Sequence, residues 1–418
     1  MILLRIYLVV SPLIWGVFRL FSLITSKGRE RFFSEYGCFV SSWRTVSKLR
    51  RDGRTPVVIH AASGGEYEQV APLLARIDRS QYIIIQTVFS PTIFRKIHAS
   101  DMSDVTFYHP PDSLCSAVLF FLLFRPGLYI TNRHDVWPAH LWVARLFNCT
   151  TAYVNANIYP ESVRYARIAR PFYAAVFRLF DTVFTGSDRL RHLLHEVQPR
   201  MAVSVVGDTR FERVRARAEQ NSRRHFNDEP QGTVLVLGSL ISSDYVPVFT
   251  GVSQYRRNGG EVAHIIVVPH EVDAAALREA EKALSHHGFT SHRYSESPCF
   301  GRSDAVIIDS VGILAELYAY GDWAYVGAGF GAGVHSVIEP AVYALPVAYG
   351  PRYTLLDEAV TLAEENLTWV VHCATDFAHF LAEGREQHEL LSQKLSLFIS
   401  ASCGASTEIS VELGLNLP

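Results

Sequence analysis

A long apolar segment opens the chain, running from Ile6 to Ile24 with few polar interruptions. A helix of this length, at about 1.5 Å per residue, would just cross a bilayer core of about 30 Å. From Arg19 to Arg54 nine Lys or Arg stand against three Asp or Glu, so the following flank is basic. The pattern predicts a membrane anchor over residues 1–26, spanning the bilayer or lying in its interface, with the rest of the chain on the cytoplasmic side. A buried core helix is the alternative.

Beyond residue 55, short apolar runs alternate with helical stretches, which is typical of parallel sheets with helices on both faces. The first set of predicted strands is Pro56–His60, Tyr82–Val88, Leu128–Thr131, Ala152–Asn155, Thr182–Thr185 and Val203–Val206. The second set is Thr233–Leu237, His264–Val268, Ala305–Asp309, Trp323–Val326 and Pro346–Ala348. Predicted helices include Glu66–Ile77, Ala274–His287, Gly312–Tyr320 and Val337–Tyr343.

A polar stretch separates the two sets of strands. Residues 217–231 contain several Asn, Asp and Glu and few apolar residues, which predicts a linker. We therefore expect an α/β protein with two Rossmann-like domains, at 27–216 and 232–395, and a C-terminal tail at 396–418 that is able to cross back. Two such domains facing a cleft would present their ligand-binding residues at the carboxyl ends of the strands.

The composition narrows the class of protein. The 418 residues are enough for two or three domains of about 150 residues. Charged residues make up 19% of the chain, below the roughly 25% of an average soluble domain, which favours extensive burial or membrane contact. The net charge of -2 gives no electrostatic sign of nucleic-acid binding. The six cysteines lack zinc or disulfide spacing and are interpreted as dispersed core thiols. No carboxylate–His cluster has metal-ligand spacing either, and we expect no metal and no cofactor.

The first motif is the segment H-A-A-S-G-G-E at residues 60–66, where a predicted strand meets a predicted helix. Small residues allow a substrate to approach the backbone closely. The helix dipole would keep Glu66 ionised, and an ionised Glu can act as a general base toward a hydroxyl group. An ordinary first-turn Glu is the structural alternative.

The second motif is G-A-G-F-G-A-G-V-H-S-V-I-E-P at residues 327–340, after the strand Trp323–Val326. Alternate glycines allow a backbone nest whose N–H groups point at an anion, and a helix predicted to start near His335 would add its positive end. His335 and Glu339 would then share one helix face, as a phosphate partner and an acceptor for ribose hydroxyls. A glycine-rich hairpin without ligand is the alternative.

Two further strand ends carry candidate ligand groups. Ser239 follows the strand Thr233–Leu237, and Pro269-His270 closes His264–Val268. A Gly-Ser strand end can offer a hydroxyl and backbone N–H groups to a phosphate, and His270 could stack on a base. Gly312 lies in a further strand-to-helix connection, where glycine permits close approach of a ligand. Structural roles are the alternative for each residue.

Taken in order, these segments resemble the 3-deoxy-D-manno-octulosonic acid (Kdo) transferases of lipopolysaccharide biosynthesis. The segment 60–66 matches the family's H-A-x-S-x-G-E signature, and 333–340 matches its G-G-H-N-x-x-E-P segment with changes. Residues 107–112, 206–211 and 309–317 look like its P-x-D, V-G-(N/D)-x-(K/R)-F and D-x-x-G-x-L-x-x-L segments. The resemblance covers nearly the whole chain.

The resemblance implies a metal-independent glycosyltransferase of the GT-B type at the cytoplasmic face of the bacterial inner membrane. It implies CMP-Kdo as donor, a lipid A precursor (lipid IVA) as acceptor, and Glu66 as general base. It implies that the nucleotide sugar is bound by Ser239, Pro269, His270, Gly312, Gly331, Gly333, His335, Ser336 and Glu339. The acceptor would be bound by Ser63, Gly64, Gly65 and Asp135, with Lys27, Arg29, Arg31, Lys48, Arg50 and Arg51 near its phosphates and the lipid head groups.

The chain departs from the family pattern at three places. Arg133 stands where the first acid of an E-x-E-x-W-P segment is expected, and Asp135 replaces the second. The usual P-R-H segment lacks its Arg before His270, and Ser336 replaces Asn. These changes leave the acceptor contacts and carboxylate recognition less well defined than donor binding.

Two other functions remain open from the sequence. One is another GT-B glycosyltransferase or a UDP-sugar epimerase, since such enzymes share a glycine loop and a ribose-binding Glu. The other is a catalytically silent scaffold of envelope assembly, which the Arg at position 133 favours.

Overall fold

The computed structural model describes residues 1–98, 101–221 and 225–416. The chain divides into two compact units, the first formed by Met1–Arg213 with Cys403–Pro418 and the second by Val214–Ser402. Each unit is built around one parallel sheet, which confirms the predicted α/β class.

The first unit holds a seven-stranded parallel sheet in its described residues, in the order β3-β2-β1-β4-β5-β6-β7. Its strands are β1 (Thr55–His60), β2 (Tyr82–Val88), β3 (Val105–Tyr108), β4 (Leu128–Asn132), β5 (Thr150–Val154), β6 (Thr182–Thr185) and β7 (Val203–Val205). The central strand β1 is buried on both faces at Val57, Val58 and Ile59, which explains why the inner strands are continuous apolar runs.

The second unit repeats the plan with β10-β11-β9-β8-β12-β13-β14, again seven parallel strands in the described part. The strands are β8 (Val234–Leu240), β9 (His264–Pro269), β10 (Ser291–Arg293), β11 (Ala305–Ile307), β12 (Trp323–Val326), β13 (Val347–Tyr349) and β14 (Thr368–Val370). Sequence analysis missed β3, β10 and β14. These strands have three or four residues, and β10 and β14 are edge strands with polar or half-exposed positions, so their apolar signal is weak.

Helices connect the strands of both sheets. They are α1 (Ile2–Ser22), α2 (Ser26–Leu49), α3 (Gly64–Leu74), α4 (Pro91–Ile97), α5 (Leu114–Phe124), α6 (Pro138–Leu146), α7 (Arg170–Phe177), α8 (Asp188–Val197), α9 (Arg210–Glu219), α10 (Ser242–Arg257), α11 (Ala274–His286), α12 (Leu314–Leu317), α13 (Ile338–Ala341), α14 (Asp357–Glu364), α15 (Ala374–Glu386), α16 (His388–Ala401) and α17 (Ala405–Glu412).

The N-terminal helix α1 is docked on the first unit along one face. Leu4 and Leu8 are buried in its core, and the Tyr7 hydroxyl donates to Asp112 Oδ2 at 2.7 Å. The opposite face is apolar and open, with Val9 77% and Leu13 73% exposed. Within the described residues, α1 is the one helix long and apolar enough to cross a membrane.

The C-terminal residues return to the first unit. Helix α17 follows α16, and the amide of Asp78 donates to Leu415 O at 2.9 Å while Ile77 forms a bridge with Asn416. Of the predicted linker 217–231, residues up to Glu219 continue α9, and residues 222–224 lie outside the described residues. The predicted domain boundaries stay predictions.

The interpretation of the cysteines as core thiols is wrong for most of them. Cys149 is buried, Cys115 and Cys373 are exposed, and Cys38, Cys299 and Cys403 are partly exposed.

Candidate active site

Two acidic residues of the first unit, Glu66 and Asp135, lie at the point where the strand order of its sheet reverses. Strand β1 pairs with β2 on one side and β4 on the other, and the connections leaving β1 and β4 carry Glu66 and Asp135. The carboxyl ends of adjacent strands at such a switch point form a crevice that α/β proteins use for ligands. The two acids are thus on the expected edge of the sheet.

Glu66 lies in the first turn of α3. Ser63 caps this helix by accepting the Glu66 amide at 3.4 Å, and the Glu66 carboxylate reaches back to accept the Ala62 amide at 2.7 Å. The spacing Ser-x-x-Glu is that of a capping box, so Glu66 also has the structural role of a first-turn Glu that caps the helix. The side chain is 7% exposed, which is unusual for a carboxylate whose partners are backbone amides.

The protonation of Glu66 differs from the sequence expectation. Burial raises the pKa of Glu66 to about 7, the neighbouring Asp135 carboxylate adds to the rise, and the Ala62 and Ser63 amides and Arg133 oppose it. The expectation that the helix dipole keeps Glu66 fully ionised is therefore wrong, because desolvation outweighs the helix end. A carboxylate titrating near neutral pH is well suited to accept a proton in catalysis.

Asp135 is held by a buried histidine. The Nε2 of His60 lies 3.0 Å from Asp135 Oδ2, and its Nδ1 lies 3.0 Å from the Thr87 hydroxyl. His60 is fully buried, and the Trp137 ring packs edge-on against it with centroids 5.2 Å apart. The contact with the buried His60 ring thereby fixes the orientation of the Asp135 carboxylate.

A buried amide network supports the first turn of α3, and sequence analysis missed it. The Asn132 amide donates to Glu66 O and to Gln69 Oε1, both at 3.2 Å, and Asn155 donates to Asn132 Oδ1 at 2.8 Å. Gln69 in turn donates to Asp208 Oδ1 at 2.8 Å. Polar residues at the ends of β4 and β5 were the available signal.

The small residues before Glu66 leave open space. Ser63 and Gly65 are exposed, and a Cβ at Gly65 would meet nothing within 4 Å. At Gly64 a Cβ would reach only Ile93 at 3.8 Å. Packing therefore does not require these glycines, and their predicted role in acceptor binding stays a prediction.

The second unit contains a cavity of about 260 Å³ at its own switch point, between the ends of β8 and β12. Five of the residues predicted to bind the nucleotide sugar line it: Ser239, Gly312, His335, Ser336 and Glu339. Arg217, Leu314, Ala315, Tyr318 and Val326 complete the lining. The structure thus brings together predicted residues that are 100 positions apart, since Ser239 and Glu339 both line it.

Ser239 adopts a strained backbone conformation at this cavity. Its φ is 54°, in the left-handed region, where the register of β8 shifts between Leu237 and Leu240. Gly312 has a φ of 88° with open space around its Cα. Strained residues and bulges are concentrated at functional sites, where they aim a group at a ligand.

Two histidines stack beside the cavity. The rings of His270 and His335 are parallel within 22°, with centroids 4.4 Å apart. Burial lowers the pKa of His335, and the nearby His270 lowers it further. The helix predicted to start near His335 begins instead at Ile338, so His335 and Glu339 do not share a helix face. Both reach the cavity from the connection after β12.

Amides of the glycine loop bind a carboxylate of the protein itself, that of Asp244. Asp244 Oδ2 accepts the amides of Ile241 at 3.0 Å and Ala328 at 2.7 Å, and the Phe330 amide also bonds this carboxylate. The amides of Gly331 and Gly333 both donate to Ala328 O. The nest predicted for a ligand anion is therefore wrong at Ala328, Phe330, Gly331 and Gly333, because these four amides already bond groups of the protein.

Gly331, Gly333 and Pro269 do not line the cavity. A Cβ at Gly331 would lie 2.5 Å from Ile241 Cδ1, so a larger residue there would displace the end of this side chain. Pro269 ends β9, where His270 donates its amide to Leu240 O at 2.9 Å. The binding roles predicted for these three residues stay predictions that this cavity does not support.

Sequence analysis missed one cation of the cavity. Arg217 was assigned to the linker, yet its guanidinium donates to Gly312 O at 2.8 Å and to Glu316 Oε2 at 2.9 Å. Its charge is paired with Glu316, so an ion pair lies among or beside the lining residues. In the described part of the chain, no three or more His, Cys, Asp or Glu side chains are arranged to hold a metal ion.

The comparisons with known proteins agree with the resemblance. Residues 21–213 match the family described as 3-deoxy-D-manno-octulosonic-acid transferase (kdotransferase). Over these residues the chain is similar to the Kdo transferase family. The chain is 24% identical to the 3-deoxy-D-manno-octulosonic acid transferase of Chlamydophila psittaci over 365 residues, which is 83% of this chain and 82% of that protein. It is 23% identical to the Aquifex aeolicus transferase over 70% of this chain and 75% of that protein.

Solved structures confirm the fold. The UDP-GlcNAc 2-epimerase of Neisseria meningitidis superposes with a TM-score of 0.60 at 12% identity, covering 86% of this chain and 99% of the epimerase. A UDP-glucosyltransferase from Polygonum tinctorium superposes with a TM-score of 0.57 at 12% identity, covering 86% of this chain and 98% of the other. The predicted GT-B type of fold is confirmed.

Proposed function

We propose that this chain transfers Kdo from CMP-Kdo to a lipid A precursor such as lipid IVA. The observation that carries the proposal is Glu66, a buried carboxylate at the switch point of the family-matched unit, whose pKa is raised to about 7. The relatives' names describe Kdo transfer. Few structural roles need a desolvated acid next to a second acid.

In the proposed reaction, Glu66 takes the proton from the acceptor hydroxyl. An electron pair of the deprotonated acceptor oxygen forms a bond to the anomeric carbon of Kdo, and the bond from that carbon to the CMP phosphate oxygen breaks. CMP leaves with the electron pair. The Asp135 charge and burial strengthen Glu66 as a base, and Ser63 and Ala62 hold its side chain in place.

The proposed donor site is the cavity of the second unit. Ser239 and Ser336 supply hydroxyls, His335 supplies an N–H donor toward phosphate, and Glu339 can accept from ribose hydroxyls. The ion-paired Arg217 lies beside them. The glycine loop contributes by shape, since its amides hold Asp244.

The proposed location is the cytoplasmic face of the inner membrane. The open apolar face of α1 and the exposed basic residues Lys27, Arg29 and Lys48 suit contact with anionic lipid. Because α1 is fixed to the first unit by Leu4, Leu8 and the Tyr7–Asp112 hydrogen bond, we expect it to lie in the interface.

The test uses Glu66→Gln in the full chain, with CMP-Kdo and tetra-acylated lipid A precursor and mass spectrometry of the product. The amide keeps an oxygen for the Ala62 N–H, so we expect a loss of about 10²- to 10⁴-fold in rate with CMP still raising the melting temperature. Glu68→Gln on the same helix is the control, because Glu68 forms surface ion pairs with Lys96 and Arg213.

Two results would contradict the proposal. One is a wild-type chain that transfers no Kdo yet is stabilised by UDP rather than CMP, which would favour an epimerase or another glycosyltransferase. The other is an equal loss of CMP binding and transfer in Glu66→Gln, which would make Glu66 structural.

A further inference from the structure

The first unit has a second cavity, of about 430 Å³, between its two N-terminal helices and the carboxyl edge of the sheet. Aromatic rings dominate its lining: Trp15, Phe18 and Phe21 from α1, Phe32 from α2, and Phe89 from the end of β2. Its volume lies in the range of about 300–1,000 Å³ typical of ligand pockets. Seven of the fifteen lining residues are polar or charged: Arg19, Ser22, Thr25, Lys27, Arg31, Glu35 and Ser90.

Arg31 forms one wall of this cavity. Its guanidinium donates to His109 O at 2.8 Å and to Phe89 O at 3.3 Å, and it lies 3.9 Å from the Phe89 ring centroid. The expectation that Arg31 faces lipid head groups is therefore wrong, because its N–H groups are directed inward to carbonyls. With these groups paired, the wall is compatible with an apolar occupant.

The charges at the rim differ in how they are paired. Arg19 donates to Glu35 at 2.8 Å, which neutralises it. Lys27 is exposed and lines the cavity, and within the described ranges it forms no ion pair. One unpaired cation thus stands where the two helices meet, as an anionic head group above an apolar slot would require.

The cavity lies close to the proposed base. Ser90, which lines it, donates its amide to Ala62 O at 3.1 Å, and the Ala62 amide donates to Glu66 Oε2 at 2.7 Å. Phe89 also stacks on Trp137, which packs on His60. A molecule that fills the cavity would therefore extend toward the carboxylate pair of Glu66 and Asp135.

The other end of the cavity opens on an apolar surface. Phe21 and Ile24 at the end of α1 are 65% and 72% exposed, and Phe33 on α2 is 77% exposed. These side chains continue the open face of α1. A flexible hydrocarbon chain could pass from lipid into the cavity without crossing charged surface.

We propose that this cavity holds one acyl chain of the lipid acceptor, with Lys27 next to an acceptor phosphate. The inference rests on the proposed function and names the part of the molecule that recognises the lipid. A chain from a bulk phospholipid has the same chemistry, but proximity to Glu66 favours the acceptor as its source. The cavity would thereby fix the distance between the lipid and the hydroxyl that reacts.

The test fills the cavity with Ser22→Phe. Ser22 lines it and donates its hydroxyl to Arg19 O at 2.7 Å, three residues earlier. Ser41→Phe is the matched control, since Ser41 donates to Cys38 O at 3.0 Å in the same way and is exposed outside the cavity. Transfer is measured with the tetra-acylated precursor and with the same disaccharide after removal of its acyl chains.

We expect Ser22→Phe to raise KM for the acylated acceptor about tenfold or more, because several methylene groups lose their burial. The KM for the deacylated acceptor and the kcat should not change, and Ser41→Phe should match the wild type. Lys27→Glu should raise KM for the acylated acceptor more than Lys48→Glu, which places the same charge change at the far end of α2. Equal effects of Ser22→Phe on both acceptors, or none, would overturn the inference.

Two binding measurements separate the inference from the proposed function. Calorimetry with a one-chain lysophosphatidic acid tests the cavity without any transfer, and loss of this binding in Ser22→Phe is expected. If the wild type binds this lipid but transfers no Kdo, the proposed function fails and the cavity remains an acyl site. If the wild type does not bind it, or if Ser22→Phe weakens association with anionic vesicles as much as it raises KM, the inference is overturned.

Discussion

The Nε2 of His60 lies 3.0 Å from Oδ2 of Asp135, and this contact joins the end of β1 to the connection after β4. His60 is the first residue of the segment that ends in Glu66, so one short motif supplies both the proposed base and the residue that orients the neighbouring acid. The two carboxylates are thus set by a single strand end. Their coupling has measurable consequences for the pH dependence of the chain.

Asp135→Asn should shift the acidic limb of the kcat/KM profile to lower pH. The Asp135 charge contributes to the raised pKa of Glu66, so its removal lowers that pKa and keeps Glu66 ionised in more acidic solution. The measurement is a pH–rate profile of transfer between pH 5 and 9. Asp101→Asn, at an exposed position, is the control. An acidic limb that does not move would show that it belongs to another group.

Glu66→Gln should stabilise the fold more at pH 8 than at pH 5. The pKa of Glu66 is raised from 4.5 to about 7 in the folded chain, so its folded state favours the protonated form. The contribution of Glu66 to the free energy of unfolding is fully present below pH 4.5, its pKa in the unfolded chain. This contribution is lost as the pH rises through about 7, and the loss is ~3 kcal/mol at most. Thermal unfolding of both proteins at the two pH values measures the difference. A constant difference between them would contradict the buried, destabilised carboxylate.

Binding of a CMP diester should tighten as the pH falls below neutrality. Burial and His270 lower the pKa of His335, so His335 is neutral at pH 8 in the free protein, and an anion at the cavity favours its protonated form. Titration calorimetry at pH 5.5, 6.5 and 8 measures the change, and a diester has no phosphate group that titrates in this range. His335→Asn should flatten the dependence, while His286→Asn at the end of α11 should not. An unchanged slope in His335→Asn would assign the proton elsewhere.

The sequence predicted where ligands could bind better than it predicted how the loops are built. Parallel strands end in an apolar run followed by small or polar residues, so Glu66, Ser239 and His335 could be located from strand ends alone. The hydrogen-bond partners could not, because they come from distant segments: Asn132 reaches the carbonyl of Glu66, and Arg217 reaches that of Gly312. Such pairs leave no periodic signal.

The hydrogen-bond partner of the glycine loop also could not be predicted from the sequence. Alternating glycines are compatible with a nest for a ligand phosphate and with a nest for an internal carboxylate, and nothing local distinguishes the two. Asp244 lies more than 80 positions before Ala328, whose amide it accepts, and α10 brings it there. The same motif fits either role, and the tertiary fold decides which anion the loop binds.

Asp244→Ala should therefore weaken the second unit more than a ligand-site change would. The Asp244 carboxylate accepts the amides of Ile241 and Ala328 and the Tyr325 hydroxyl at 3.0 Å, and it is fully buried. Removing it leaves several buried donors unpaired, which we expect to cost about 2–4 kcal/mol of unfolding free energy. Asp244→Asn, which keeps one acceptor oxygen, should cost less. Urea unfolding followed by the fluorescence of Trp323, in β12, measures both variants, with other tryptophans replaced by Phe. If Asp244→Ala leaves the stability unchanged, the hydrogen bonds to Asp244 are not what holds the loop, and tighter CMP binding in this variant would show that the freed amides can bind a ligand phosphate.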